Sequence, residues 1–196
     1  LECFQRMQCE SMLPSEVTFI CILKACGSTI GIMKGKEIHA LVCMQGFERD
    51  HVVGSSLVDM YSDCGLLQEA QQVFDRVRVK DVVIWTSLIS GYTEHGDGVR
   101  ALICFEAMQL EGLLPNSVTF VCCLKACGSA GNFDKGLEIH GNISVRGLEM
   151  DLLVGSTVVD MYVKCGSLHE ALVVFEKLPH RDVVSWNALL GGYSSQ

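Results

Sequence analysis

The residues best suited to chemistry in this sequence are its eleven cysteines and six histidines. Thiolate and imidazole groups are common zinc ligands, and a catalytic zinc site also needs a bound water and a group that moves protons. No two cysteines are spaced Cys-x-x-Cys, and no histidine is followed two residues later by glutamate. Adjacent Cys122 and Cys123 point to different sides of a helix, which is poor geometry for one metal ion. We therefore expect no metal, no cofactor and no enzymatic activity.

The histidines also repeat in a pattern that favours packing. His39 and His140 occupy the same place in the stretches GKEIH and GLEIH, and we interpret both as packing or surface residues rather than ligands. No Gly-rich phosphate loop and no nucleophile–base pair stands out. Small-molecule substrates are therefore not expected.

Most cysteines follow an internal repeat of 101 residues. The hexamer LKACGS at 23–28 recurs at 124–129, and about half of all pairs aligned by that shift are identical. Eight cysteines fall into such pairs, and repetition rather than cross-linking explains their placing, so we expect reduced, buried thiols. The pairs are Cys3/Cys104, Cys21/Cys122, Cys26/Cys127 and Cys64/Cys165.

The repeat divides into shorter units. Turn-like residues recur at Ser15, Asp50, Asp81, Asn116, Asp151 and Asp182, which gives segments of 35, 31, 35, 35 and 31 residues. Units of this length indicate stacked repeats, in which each helical hairpin buries its apolar face against its neighbours.

Apolar residues within the units have helical spacing. Phe19, Ile22, Leu23 and Cys26 stand at i, i+3, i+4 and i+7, which predicts one apolar stripe on a helix. The same spacing occurs at Phe120, Cys123, Leu124, Cys127; Trp85, Leu88, Ile89, Tyr92; Trp186, Leu189, Leu190, Tyr193; Ala70, Val73, Phe74, Val77; Ala101, Cys104, Phe105, Met108; and Ala171, Val174, Phe175, Leu178.

Periodicity and glycine stops together outweigh the β-forming residues of 17–23. Helix stops are expected at Gly27, Gly46, Gly65, Gly112, Gly128, Gly147 and Gly166. We predict about twelve helices, and an all-α fold in which stacked helix-turn-helix repeats form a right-handed α-solenoid superhelix with first helices on its concave face.

Charge and hydropathy restrict the partners. A net charge of −8 argues against coating of nucleic acid by charge alone. The longest uncharged stretches, about 14 residues, are too short to cross a membrane. The chain begins with Leu1 rather than Met, and we expect its natural N-terminus to be missing.

The repeats resemble pentatricopeptide repeat (PPR) proteins, in the subclass where P, L and S motifs alternate. The resemblance covers the whole chain and rests on VTFICILKACGS, GKEIHALV, GSSLVDMYSDCG, EAQQVFDRV, VVIWTSLISGYTEHG and ALICFEAMQLEGLLPN with their shifted partners. It implies a single array over 1–196: a partial P motif at 1–15, L at 16–50, S at 51–81, P at 82–116, L at 117–151, S at 152–182 and a truncated P at 183–196.

The resemblance implies sequence-specific binding of single-stranded RNA through the fifth and last residue of each motif. A fifth-position hydroxyl favours purines in this family, a last-position Asp accepts from guanine and a last-position Asn suits adenine. The pairs Ser55 with Asp81, Thr86 with Asn116 and Ser156 with Asp182 then select G, A and G. Asn187 favours a pyrimidine, and its partner lies outside the sequence.

The L motifs are expected to discriminate weakly, because the aliphatic Ile20 (with Asp50) and Val121 (with Asp151) cannot hydrogen-bond a base. The predicted core is therefore 5′-GANG-3′. Bases are sandwiched by the second residues Val17, Val52, Val83, Val118, Leu153 and Val184. Lys24 and Lys125 share the helix face of Ile20 and Val121 and are candidate phosphate contacts.

Plainer alternatives exist for these residues. The aspartates are well placed to cap helices, the hydroxyl residues could be ordinary exposed helix positions and the valines ordinary core. Asp59 and Asp160 occupy the place of the two lysines in S motifs and would repel phosphate unless they are paired.

Members of this subclass often serve organellar C-to-U RNA editing, which implies a chloroplast or mitochondrial location. The appended zinc deaminase needs the His-x-Glu and Cys-x-x-Cys motifs that this chain lacks. The expected role is therefore that of a targeting module. The resemblance also allows an accessory editing-cofactor protein, bound through L motifs, and a homodimer. Two alternatives stay open, a protein-interaction scaffold and a guide for RNA cleavage, splicing or stability.

Overall fold

The computed structural model describes residues 2–27 and 31–194, and all regular structure in these ranges is helical. The prediction of about twelve helices in an all-α fold is confirmed. The helices are α1 Glu2–Cys9, α2 Glu16–Gly27, α3 Ile32–Met44, α4 His51–Asp63, α5 Leu67–Arg76, α6 Val82–Glu94, α7 Gly98–Leu110, α8 Ser117–Ala130, α9 Phe133–Val145, α10 Leu152–Lys164, α11 Leu168–Lys177 and α12 Val183–Ser194. Two 3₁₀ turns, Phe47–Arg49 and Leu148–Met150, precede α4 and α10.

The helices form hairpins within two compact units, Leu1–Gly91 and Tyr92–Gln196. In the first unit α2 packs against α4, while α3 and α5 pair with them as second helices. In the second unit α8 packs against α10 and α10 against α12, with α9 and α11 as second helices. Six first helices, α2, α4, α6, α8, α10 and α12, each begin directly after a motif boundary inferred from the sequence.

The predicted apolar stripes form the core. Phe19, Leu23 and Cys26 have no exposed surface, and neither do their counterparts Phe120, Leu124 and Cys127. Tertiary burial therefore overrides the β preference of residues 17–23, all of which lie in α2. The all-apolar stripe at the end of the chain differs, because Trp186, Leu190 and Tyr193 on α12 are exposed and only Leu189 is buried.

Glycines end several helices as predicted. Gly46, Gly65, Gly112, Gly147 and Gly166 adopt left-handed φ angles of 67° to 80°, which residues with a Cβ atom rarely adopt. Gly27 is the last residue of α2, and residues 28–30, including the end of the first LKACGS, lie outside the described ranges.

The stop predicted at Gly128 is wrong. Helix α8 continues to Ala130 and is ended by Gly131, whose φ is 64°. Gly128 serves close packing instead, since a Cβ atom there would lie 3.1 Å from the side chain of Lys164 and 3.5 Å from the backbone of Met161 on α10.

All eleven cysteines are free thiols. Cys26, Cys104, Cys122, Cys123 and Cys127 are buried, as expected for small apolar residues at helix contacts. The expectation of burial is wrong for Cys3 and Cys21, which are exposed, and Cys64 and Cys165 are only half-buried.

Candidate nucleic-acid interface

The last residue of each motif caps the helix that follows. The Oδ1 atom of Asp50 accepts hydrogen bonds from the backbone N–H groups of Val52 and Val53 at 2.9 and 3.0 Å. Asp81 and Asp151 make the same pair of bonds, each at 3.0 Å, at the starts of α6 and α10. Negative charge at a helix N-terminus is favourable, so the capping role is real. It occupies one carboxylate oxygen, and in the described ranges the structure gives Oδ2 of these residues no partner.

Asp182 and Asn116 vary this geometry. Asp182 Oδ1 accepts from the backbone N–H of Ser185 at 2.8 Å. Asn116 forms a capping box, in which Thr119 donates to Asn116 Oδ1 from both its backbone nitrogen, at 2.9 Å, and its hydroxyl, at 3.0 Å. The side chain of Asn116 is nevertheless exposed.

The loops that carry Asp81 and Asp182 are held by the basic residue before each aspartate. Lys80 donates to the carbonyl of Val77 at 3.1 Å, and its ammonium lies 5.1 Å from the ring centre of Phe74. Arg181 donates to the carbonyl oxygens of Phe175 and Glu176 and lies 5.2 Å from the Phe175 ring. These cations position the two carboxylates rather than extending toward a ligand.

The hydroxyl residues at fifth positions are buried, not ordinary exposed helix residues. Ser55, Thr86 and Ser156 are 7, 8 and 2% exposed. Each hydroxyl donates within its own helix, to the carbonyl oxygen of His51 at 2.8 Å, of Val82 at 2.7 Å and of Leu153 at 3.2 Å respectively. Because the donor is used internally, the hydroxyl oxygens of Ser55 and Ser156 are left with acceptor capacity.

The fifth positions of the other motifs differ from one another. Ile20 is half-buried, Val121 is 5% exposed and Asn187 is exposed. Ile20 and Val121 therefore offer no polar side-chain atom to a ligand, while Asn187 on α12 is exposed.

The second positions are the opposite of core residues. Val17, Val83, Val118, Leu153 and Val184 are 54 to 66% exposed, while Val52 is half-buried. Each stands two residues after a helix-capping position and three before a fifth position, so it shares a helix face with the fifth residue. The interpretation of these residues as ordinary core is therefore wrong.

One of the two candidate phosphate contacts faces an acid. Lys24 on α2 attracts the carboxylate of Asp59 on α4, and Ser87 hydrogen-bonds to the same carboxylate. Desolvation raises the pKa of Asp59, and the Ser87 hydrogen bond and Lys24 lower it less. Asp63 adds a second acid, since a Cβ atom at Gly27 would lie 2.5 Å from its Oδ2 atom.

In the second unit, the residues equivalent to Lys24, Asp59 and Asp63 have a net charge of the opposite sign. Asp160 pairs with Lys164 on its own helix, at 2.7 Å. Lys164 replaces the Asp63 of the first unit, and its side chain lies against Gly128 on α8. Lys125 is exposed, and the structure gives it no ion pair within the described ranges. The trio Lys125, Asp160 and Lys164 is therefore net positive, and Lys24, Asp59 and Asp63 net negative.

The repeated histidines hold helices together. Nδ1 of His39 lies 2.8 Å from the hydroxyl of Tyr61, and Nδ1 of His140 lies 2.9 Å from that of Tyr162. Burial lowers the pKa of both histidines, which keeps the rings neutral near pH 7. Burial also raises the pKa of Tyr61 to about 12. Sequence reasoning missed these bonds, although the 22-residue spacing of each pair recurs after 101 residues.

The part of the chain that the structure describes has neither a metal-binding cluster nor a membrane-spanning helix. Among residues 2–27 and 31–194, no three His, Cys, Asp or Glu side chains are grouped so that they could hold a metal ion. None of the helices in those ranges has the length and apolar character needed to span a bilayer.

Models of known protein families match most of the chain. A model described as the PPR repeat family matches residues 80–129. A model of the single PPR repeat matches residues 55–82, 118–148 and 156–183. Together these matches cover more than half of the 196 residues.

Curated relatives come from Arabidopsis thaliana. One pentatricopeptide repeat-containing protein is 40% identical over 97% of this chain and 26% of its own length. A second, named chloroplastic, is 40% identical over 93% of this chain and 30% of its own. A third, a putative protein named mitochondrial, is 36% identical over 99% of this chain and 31% of its own length. The chain thus spans about a quarter to a third of the length of these relatives.

A solved structure shares the fold. The crystal structure of the pentatricopeptide repeat protein PPR10 in complex with an 18-nt psaJ RNA element aligns with a TM-score of 0.59. It is 18% identical, and the alignment covers 99% of this chain and 34% of that one. This likeness identifies the stacked helical hairpins as the α-solenoid type. The family models, supported by these relatives, show that the chain belongs to the PPR repeat family.

Proposed function

We propose that this chain binds single-stranded RNA sequence-specifically, as the targeting module of an organellar C-to-U RNA-editing factor with the core 5′-GANG-3′. The observation that carries the proposal is a pattern repeated at the starts of the first helices. A capping side chain with one free polar atom is followed by an exposed aliphatic residue and then by a small fifth residue.

The free atoms of the capping residues have the polarity that base recognition needs. With Oδ1 engaged, the free oxygen of Asp81 is an acceptor and suits the N–H donors on the pairing edge of guanine. Asn116 offers its Nδ2 donor, which suits the N1 acceptor of adenine. Asp182 is equivalent to Asp81 in the repeat.

The exposed aliphatic residues provide the stacking surfaces. Val83, Val118 and Leu153 are more than half exposed and stand at equivalent positions of successive repeats. A nucleobase placed between two such side chains buries its faces and theirs. Stacking of this kind tolerates any base, so it contributes affinity while the polar atoms supply selectivity.

The buried hydroxyls of Ser55, Thr86 and Ser156 favour purines because they are small. A short side chain that bonds to its own helix does not extend toward a base, so it takes up little of the room that a larger ring system needs. The aliphatic Ile20 and Val121 supply no polar atom, which supports weak discrimination by the L motifs.

The acids closest to the two candidate phosphate contacts have partners, although Asp63 leaves the group around Lys24 net negative. Asp160 pairs with Lys164, and Asp59 with Ser87 and Lys24, so neither carboxylate faces the RNA backbone uncompensated. We expect modest affinity that depends on stacking and base-edge bonds more than on long-range attraction.

The segment lengths and the names of relatives support the editing role and the organellar location. The alternation of 35- and 31-residue segments supports the subclass with P, L and S motifs. Relatives named chloroplastic and mitochondrial support an organellar location. In this role the chain is a non-enzymatic guide, and an accessory editing-cofactor protein at the L motifs and a second copy of the chain are its proposed partners.

Gel-shift titration at one fixed, moderate salt concentration tests the proposal. An RNA containing GANG should bind about tenfold or more tightly than one in which each purine is exchanged for the other, because three recognition pairs are mismatched. Equal binding of the two RNAs would overturn the proposed specificity. Binding to no RNA in a randomised selection, together with tight binding to a protein, would favour the scaffold instead.

A further inference from the structure

We infer that Thr119 is a positioning residue that fixes the base preference of Asn116, an inference that rests on the RNA-binding function proposed above. Thr119 touches no base in this account. It lies one helical turn into α8 with no exposed surface, beneath the exposed Asn116. Its role is to decide which end of the Asn116 amide faces the ligand.

Three hydrogen bonds connect the two residues. Oδ1 of Asn116 accepts from the backbone N–H of Thr119 at 2.9 Å and from its hydroxyl at 3.0 Å. The backbone N–H of Asn116 donates to the same hydroxyl oxygen at 3.3 Å. Both donors of Thr119 require an oxygen at the inner position, so the amide is oriented with Oδ1 toward the helix and Nδ2 toward solvent.

This orientation determines the preference for adenine over guanine. An outward Nδ2 can only donate, and the N1 atom of adenine accepts, whereas N1 of guanine carries a hydrogen. If the amide turned over, Oδ1 would face the ligand and could accept from guanine. An asparagine without a fixed orientation would therefore distinguish the two purines poorly.

The aspartate positions do not need such a residue. Both oxygens of a carboxylate are acceptors, so either orientation presents the same polarity. At the equivalent of Thr119 the helices capped by Asp50, Asp81 and Asp151 have Val53, Ile84 and Val154, which lack a hydroxyl. Ser185 has one, but it bonds to the backbone carbonyl of Asp182 at 2.9 Å instead of the carboxylate.

Substitution of Thr119 with Val and with Ser separates the hydroxyl from the packing. Val is close to Thr in shape and already occupies the same position in α4 and α10 as Val53 and Val154, which supports folding of T119V. T119S retains the hydroxyl. Both variants and the parent chain are titrated with two RNAs that differ only in A or G at the base assigned to Thr86 and Asn116.

The A-over-G affinity ratio is the deciding quantity. We expect it to fall about fivefold in T119V, the equivalent of one lost hydrogen bond, and to be retained in T119S. An unchanged ratio in T119V, or weaker binding to both RNAs with the ratio intact, would overturn the positioning role. A parent chain without any preference for A would contradict the proposed function itself, and this inference with it.

A second measurement transfers the arrangement to another motif. Asp182→Asn should move the preference at the Ser156 position from G toward A. Adding Ser185→Thr, which keeps a hydroxyl at the positioning site and favours the capping-box rotamer, should increase the A-over-G ratio further. If the double variant distinguishes A from G no better than Asp182→Asn alone, the inference is wrong, whatever the outcome for T119V.

Discussion

The ammonium group of Lys164 lies 2.7 Å from a carboxylate oxygen of Asp160. In the first unit the residue equivalent to Lys164 is Asp63, so the corresponding acid, Asp59, is opposed instead by Lys24 from the neighbouring helix. Lys24 therefore faces an acid. Its equivalent, Lys125, is exposed and has no ion pair in the described ranges.

Removal of Lys125 should therefore weaken RNA binding more than removal of Lys24. For K125A we expect a similar loss of affinity for all RNA sequences and a decrease of about 0.7 in the slope of log K against log salt concentration, because one phosphate contact is lost. K24A is the matched control and should leave the slope almost unchanged. Equal effects of the two substitutions would show that the pairing of Lys24 with Asp59 does not restrict it.

The buried hydroxyl of Ser62 should lower the free energy of unfolding. Its Oγ atom is buried and has no hydrogen-bond partner among the described residues, and the repeat places Val163 at the same position. Ser62→Ala should raise the free energy of unfolding by about 1 kcal/mol, measured by urea denaturation, because an unsatisfied polar group is removed from the interior.

Ser56→Ala is the control for that substitution. The hydroxyl of Ser56 donates to the carbonyl of Val52 at 3.1 Å, so its removal should be neutral or slightly destabilising. A loss of stability in the Ser62 variant would mean that the hydroxyl has a partner, such as an ordered water molecule.

The two His–Tyr pairs should make stability depend on pH below about 6.5. Burial, supported by the nearby Arg76, lowers the pKa of His39 below its usual 6.5, and burial also lowers that of His140, opposed in part by Glu149. The unfolded chain then binds protons more readily than the folded chain. Stability is complete above the unfolded pKa and decreases as pH falls through 6.5 toward the folded values.

Urea midpoints at pH 7.5 and pH 5.5 measure this dependence. In a His39→Gln, His140→Gln variant the difference between the two midpoints should be smaller than in the parent chain. His180→Gln, which replaces an exposed imidazole, is the control. An undiminished difference in the double variant would assign the pH dependence to other groups.

The helices and most of their buried faces were predictable from the sequence. Stripes such as Phe19, Leu23 and Cys26 depend on spacing within one helix, and spacing is visible in a sequence. The role of Gly128 was not predictable, because it depends on how closely α8 approaches Lys164 on another helix. Residues far apart in the chain decide such contacts, and periodicity carries no information about them.

The candidate interface was predictable in position but not in detail. Register alone located Asp81 and Asn116, and the spacing of Asn116 and Thr119 is a capping-box signal that sequence reasoning passed over. The burial of Ser55 and Ser156, in contrast, arises from packing by neighbouring helices. Packing between helices decides whether a side chain bonds to its own helix or faces a ligand.

Exchange of one capping residue tests whether the last residue of a motif selects the base. The parent chain and Asp81→Asn are each titrated with RNAs that have G or A at the base assigned to Ser55 and Asp81. Because Asn also caps helices well, the fold should be preserved. The parent chain should prefer G. In the variant, where Ile84 supplies no hydroxyl to orient the new amide, the G-over-A ratio of affinities should fall about tenfold. An unchanged preference would contradict base selection by Asp81 and leave Asp81 as a helix cap alone.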